Sequence, residues 1–256
     1  MVLALFDCDG VLVNSEELAE RITREQLGLL GLHFTDQEYN ARYSGASDLD
    51  FMRLAQDDCK ARTGQDAPAD LLDRILALYH AQEAQHIQAI AGVRDVLESL
   101  QHSGVPFAIV SNGARADILR KLKLAGLDDL FPESAIFSRE NVAPGRGKPH
   151  PDICLVAMQA MGETDPQNCI FTDDSIKGVQ AGRAASMFTI GFSAGAHRHP
   201  GYAQDLKQAG ADVVCASMGG AGMEIFSQID QIVQGAQGRN AGVLQRRRAF
   251  GGQSPS

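Results

Sequence analysis

None of the five cysteines (Cys8, Cys59, Cys154, Cys169, Cys215) stands at C-x-x-C spacing from another, which excludes a short zinc-binding or redox dithiol motif. Odd in number and scattered, they fit reduced thiols packed as small hydrophobes. No stretch approaches the ~18 uninterrupted apolar residues of a membrane span. The apolar run Met1–Phe6 is too short for a secretory signal and lacks its basic flank, so a cytoplasmic protein without membrane contact is expected. Positive charge is scarce as well. Lys and Arg number 23 against 32 Asp and Glu, a formal net charge of −9, and that balance argues against nucleic acid as a partner. No internal repeat is present.

What is there suits an ordinary soluble globular protein. Hydrophobic residues make up 44% and charged residues 21% of 256, enough for one sizeable core and a satellite. A net-acidic protein that handles an anionic substrate must concentrate positive charge locally, through one or two basic side chains or a bound cation.

Two textures follow along the chain. Residues 15–90 read as helix after helix: Leu18 and Ile22 lie four apart, and Met52, Ala55 and Cys59 repeat at helical spacing. Pro68 suits a helix's first turn, ahead of a stripe formed by Leu71, Leu72, Ile75, Leu76 and Tyr79. Elsewhere, short apolar runs at 2–6, 106–110, 169–171, 187–190 and 212–214 alternate with helical periodicity. Pro106 fits only a strand's first position. Continuously apolar strands interleaved with helices predict a parallel sheet covered on both faces. The fold class is α/β: a doubly wound, Rossmann-like parallel-sheet core over 1–14 and 91–234, interrupted by an all-helical cap over 15–90. From Gly235 to Ser256 the Gly, Gln, Ser and Arg content predicts a disordered, solvated tail.

Ligands of open α/β sheets bind beyond the carboxyl ends of the strands. Three polar clusters fall there: Asp7-Cys8-Asp9-Gly10, Ser111-Asn112-Gly113 and Thr172-Asp173-Asp174-Ser175. Two unit charges ~4 Å apart repel by ~4 kcal/mol at an effective dielectric of 20, so converging carboxylates need protons or a cation. Oxygen-only ligation favours a hard ion such as Mg²⁺, which binds through one or two carboxylates and a substrate phosphate.

The run Phe6-Asp7-Cys8-Asp9-Gly10-Val11-Leu12 resembles the nucleophile loop of the haloacid dehalogenase-like superfamily. Ser111-Asn112, Lys148-Pro149-His150-Pro151-Asp152 and Asp173-Asp174-Ser175-Ile176-Lys177-Gly178-Val179 resemble its second, third and fourth motifs, in family order. The helical block is similar to the cap of the β-phosphoglucomutase-like branch. The resemblance implies that Asp7 is a nucleophile forming an aspartyl-phosphate and that Asp9 is its acid/base partner. It implies Ser111 and Asn112 as phosphate ligands and Lys148 as the neutralising cation. Mg²⁺ would be held by Asp7, the Asp9 carbonyl, Asp174 and Asp173, although the family more often has Glu at the position of Asp173. Ser44, Gly45 and Ala46 fall where that branch has its substrate-specificity loop, with Ser44 replacing the usual basic residue.

Dehalogenases of the superfamily generally lack the second aspartate, so Asp9 points to phosphoryl transfer. β-Phosphoglucomutases carry a histidine early in the first cap helix, near which this chain has Ala19. The expected activity is hydrolysis of a small phosphorylated metabolite (sugar, polyol or sugar-acid phosphate) rather than a mutase reaction. A non-catalytic binding protein on the same fold is the remaining alternative.

Overall fold

Six strands, β1 (Leu3–Phe6), β2 (Phe107–Val110), β3 (Ile136–Phe137), β4 (Cys169–Asp173), β5 (Phe188–Phe192) and β6 (Val213–Cys215), pair in parallel in the order β3-β2-β1-β4-β5-β6. The computed structural model describes the backbone of residues 1–43, 48–194 and 201–250, and the side chains of these except 40, 41, 48 and 235–250. Sequence periodicity anticipates five of the strands. It misses β3, whose two residues are too few to show any period. Pro106 precedes β2; its carbonyl accepts a hydrogen bond from Ala4 N at 3.0 Å, a pairing that needs no N–H from the proline.

β1 is the centre of the sheet, and the chain leaves it for β2 and β3 on one side before crossing to β4, β5 and β6 on the other. Such a reversal opens a crevice at the strands' carboxyl ends. Alternation along β1 sends Leu3 and Leu5 to one face, against Ile153 and Ala157 of α7 (Asp152–Ala160). Ala4 and Phe6 go to the other face, in one cluster with Val93, Leu97 and Leu100 of α5 (Val93–His102). All four β1 residues are fully buried, each large side chain contributing about 1.5–3 kcal/mol. α6 (Arg115–Ala125), α8 (Ile176–Ala184), α9 (Tyr202–Ala209) and α10 (Met218–Phe250) complete the core. The backbone of α10 continues through residues 235–250.

Between β1 and α5 lie α1 (Ser15–Leu29), α2 (Asp36–Tyr43), α3 (Asp48–Thr63) and α4 (Leu71–His86), with no strand among the described residues. Leu71, Ile75, Tyr79 and Glu83 form the buried face of α4 at four-residue spacing, while Leu76 is exposed. The stripe is therefore narrower than the sequence suggests, and the helix begins three residues past Pro68. The two chain segments that join this block to the sheet pair with each other. Asn14 N donates to Gln88 O at 3.1 Å, Gln88 N to Asn14 Oδ1 at 2.8 Å, and Ile90 N to Leu12 O at 3.0 Å.

Candidate active site

Each polar cluster follows one of the three central strands, so sheet register alone brings them together. Asp7 N donates to Thr172 O of β4 at 2.9 Å, and Ser111 N to Phe137 O, the end of the short β3, at 3.0 Å. Past Asp7 the chain turns sharply: Gly10 N donates to Val13 O at 2.9 Å and Leu12 N to Cys8 O at 2.9 Å. Gly10 is needed there twice over. Its φ is +73°, and a Cβ on it would lie 2.0 Å from Asp174 Oδ2.

Lys148 arrives from the 144–150 loop with its side chain almost fully buried. Its Nζ lies 3.0 Å from Asp7 Oδ1 and 2.7 Å from Asp173 Oδ2. Asp173 is completely buried, and its other oxygen accepts from Ser175 N and Ser175 Oγ, both at 2.8 Å. Its carboxylate sits where a side chain on Gly178 would be, 1.8 Å from the ideal Cβ of that residue. Asp173 is thus engaged on both oxygens by the protein itself. Asp174 is buried beside it, and its main-chain carbonyl accepts from Tyr202 Oη at 2.9 Å.

Two partnerships were not legible in the motifs. The Asn112 side chain turns to the backbone of Lys148, donating from Nδ2 to Lys148 O at 3.0 Å and accepting at Oδ1 from Lys148 N at 2.8 Å. That side chain is therefore a clamp on the backbone of Lys148. Ser111 Oγ accepts from Gly113 N at 3.0 Å, closing the turn after β2. The second partnership concerns Asp9, whose Oδ1 lies 2.5 Å from Lys121 Nζ on α6 and accepts from Ser15 Oγ at the start of α1. Sequence reasoning passed over Lys121 because a single lysine on an amphipathic helix looks like any solvated one.

Electrostatics divides the two aspartates. Burial pushes the Asp7 carboxyl well above its ordinary value; Lys148 opposes this, while Asp173, Asp174 and Asp9 add to it. Burial would also raise Asp9, but Lys121 and Ser15 hold it below the usual carboxylate range. Both lysines are raised, against the effect of burial, by the carboxylates they face. Asp7, Asp9, Asp173 and Asp174 against Lys121 and Lys148 sum to a formal charge of −2. Asp7, Asp173 and Asp174 each offer an oxygen, all within 4.8 Å of one another. An oxygen-only donor set with that residual charge fits a hard divalent cation.

Ser44, Gly45 and Ala46, the expected specificity loop, lie outside the described residues. All five cysteines are free and buried. Among the described residues, no helix is long and apolar enough to cross a membrane.

The family model for haloacid dehalogenase-like hydrolases matches residues 1–186. Hexitol phosphatase A of Escherichia coli (strain K12) is 32% identical over 193 residues, covering 74% of this chain and 82% of that protein. The bifunctional riboflavin kinase/FMN phosphatase of Arabidopsis thaliana is 30% identical over 187 residues; the match takes in 73% of this chain but only 47% of that longer protein. Among solved structures, a HAD family hydrolase from Deinococcus radiodurans R1 with bound phosphate and sodium superposes with a TM-score of 0.72 at 34% identity, covering 85% of this chain and 91% of that one. The chain belongs to the haloacid dehalogenase-like hydrolases, and the two curated relatives named here, hexitol phosphatase A and the FMN phosphatase, bear phosphatase names.

Proposed function

We propose that the protein hydrolyses a small phosphorylated metabolite, in the class of sugar, polyol and sugar-acid phosphates, with Mg²⁺ and through an aspartyl-phosphate on Asp7. The observation that carries this reading is the Asp7 carboxylate held 3.0 Å from buried Lys148 at the central strand's end, with Asp9 two residues on. In the first step an Asp7 oxygen attacks phosphorus while the bond to the leaving oxygen breaks, and its electron pair goes to that oxygen. Asp9 supplies the proton the leaving oxygen takes. Water then attacks the same phosphorus, Asp9 accepts the water's proton, and the phosphorus–Asp7 bond breaks.

Asp9 is anionic in the free site. A phosphate's negative charge arriving beside it raises its proton affinity, so Asp9 takes up a proton from solvent as substrate binds, gives it to the leaving oxygen, and returns to solvent the one it later accepts from the attacking water. Lys148 relieves the repulsion between the anionic nucleophile and the phosphate, and Ser111 with the Asn112 main-chain N–H would hold phosphoryl oxygens. Asp7, Asp174 and the Asp9 carbonyl would hold Mg²⁺, which supplies charge neutralisation on the phosphoryl oxygens when bound. Asp173, engaged by Lys148 and Ser175, serves in this arrangement chiefly to orient the lysine. The substrate class rests on the names of the relatives, one a hexitol phosphatase and the other an FMN phosphatase in part.

The test is incubation with Mg²⁺ across a panel of sugar, polyol, sugar-acid and nucleotide phosphates, with Asp7→Asn as the control. Release of inorganic phosphate by the wild type alone is expected. Equal release by both proteins would remove Asp7 from the chemistry, and release from nucleotides alone would overturn the substrate class.

A further inference from the structure

Lys121 has no part in the steps above, yet its side chain is only 13% exposed and its ammonium reaches the acid/base carboxylate from outside the four motifs. Removing an ammonium group from water costs several kcal/mol unless it is well paired, so a merely structural position on α6 would be better filled by an apolar side chain. Here the pairing is specific. Lys121 Nζ and Ser15 Oγ converge on one oxygen of Asp9, Oδ1, from two different helices. The other oxygen, Oδ2, is directed to the turn after β2: the space beside Gly113 that a Cβ would fill lies 3.8 Å from Asp9 Oδ2 and 3.3 Å from Ser111 Oγ.

The cap closes over the same pair. The Tyr79 ring of α4 has its centre 5.9 Å from Lys121 Nζ. The neighbouring residue on α6, Arg120, places Nε 2.6 Å from Glu83 Oε1, one turn further along α4. Adjacent residues of one core helix therefore hold the acid/base group and the cap helix above it.

We infer that Lys121 is a positioning residue: it fixes Asp9 by one oxygen so that the other faces the leaving group beside Ser111. The inference rests on the phosphatase reading, and it concerns how Asp9 is aimed. A carboxylate released from that hold swings about its side-chain torsions and loses the alignment that proton transfer needs. The loss falls hardest on substrates whose leaving oxygen most needs a proton.

The test is kcat/KM, with Mg²⁺ present, for a series of aryl phosphates from p-nitrophenyl phosphate to phenyl phosphate. Wild type, Lys121→Met and Lys121→Arg are compared, each checked for folding by circular dichroism. In this ratio only the steps up to phosphorylation of Asp7 are seen. Lys121→Met is expected to lose about tenfold or more on phenyl phosphate relative to its loss on p-nitrophenyl phosphate, a part of the general-acid contribution. Lys121→Arg, which keeps the charge, should fall between. Should Lys121→Met not fold, the same steeper dependence on leaving group in Lys121→Arg and in Ser15→Ala decides the matter. A uniform loss across the series, or none, would overturn the inference. A wild type inactive on every aryl phosphate would instead remove the phosphatase reading on which it rests.

Discussion

The side-chain amide of Asn112 holds both backbone polar groups of Lys148, giving a hydrogen bond to its carbonyl at 3.0 Å and taking one from its N–H at 2.8 Å. The second motif thereby fixes the third, across 36 residues of sequence. Close approach is possible because Gly147 precedes the lysine; a Cβ there would lie 2.5 Å from Asn112 Oδ1. Asn112→Ala should cost about 1–3 kcal/mol of stability through the two partners it abandons. It should also lower kcat more than it raises KM, because Lys148 loses its place. Urea melts together with steady-state kinetics check both, and unchanged kcat in a destabilised protein would show the clamp to be structural only.

Gly178 supplies a sharper contrast. In a helix interior Gly→Ala ordinarily stabilises by about 1 kcal/mol. At 178 the new Cβ would meet the Asp173 carboxyl carbon at 1.8 Å, so the carboxylate that orients Lys148 must move. Gly178→Ala should lose most activity and about 1–3 kcal/mol of stability. Gly219→Ala, in α10 with nothing within 4 Å of its Cβ position, should retain activity and gain about 0.5–1 kcal/mol. Equal behaviour of the two variants would contradict the packing described around Asp173.

Much of this site was legible because short apolar strands end abruptly in polar residues, and parallel register then carries Asp7, Ser111 and Asp173 to one edge. Pro106 marked the start of β2 in the same way. What was illegible depends on distance in space. β3 is two residues long, and its role is to receive Ser111 N through Phe137 O. Lys121 acquires meaning only when α6 is laid against the loop after β1, and the Asn112 side chain only when the 144–150 loop folds over it.

The proposed metal dependence can be tested at the buried cluster of Asp7, Asp173 and Asp174. Burial and the neighbouring acids raise the Asp7 carboxyl, and a cation beside it would favour its charged form. Added Mg²⁺ should raise the melting temperature of the wild type by ligand linkage, and chelation with EDTA should reverse the shift. Asp174→Asn should lose most of it. Thermal shift assays with and without Mg²⁺ measure this apart from turnover, and an equal shift in Asp174→Asn would remove Asp174 from the ligand set.

Glu163, buried in the connection between α7 and β4, makes a prediction about stability and pH. Burial would raise its carboxyl, but backbone N–H groups of Asp165 and Thr164, among other donors, lower it to about 2. A depressed folded-state value means stability that is fully present above the ordinary carboxylate range and is lost as pH falls from there towards 2. Glu163→Gln should therefore be less stable than wild type at neutral pH, with the difference shrinking below pH ~4. Denaturant titrations at a series of pH values check this; a constant difference would show that the charge of Glu163 is not what stabilises.

Asp7, the buried carboxylate 3.0 Å from Lys148, carries the proposed covalent chemistry. The most direct measurement is acid quenching of the protein during turnover of an aryl phosphate with Mg²⁺, followed by peptide mass spectrometry. A phosphoryl group on the peptide holding Asp7, labile to hydroxylamine and absent from Asp7→Asn, is the predicted result. Turnover with no phosphoryl group on Asp7 at any quench time, or turnover that survives in Asp7→Asn, would contradict it.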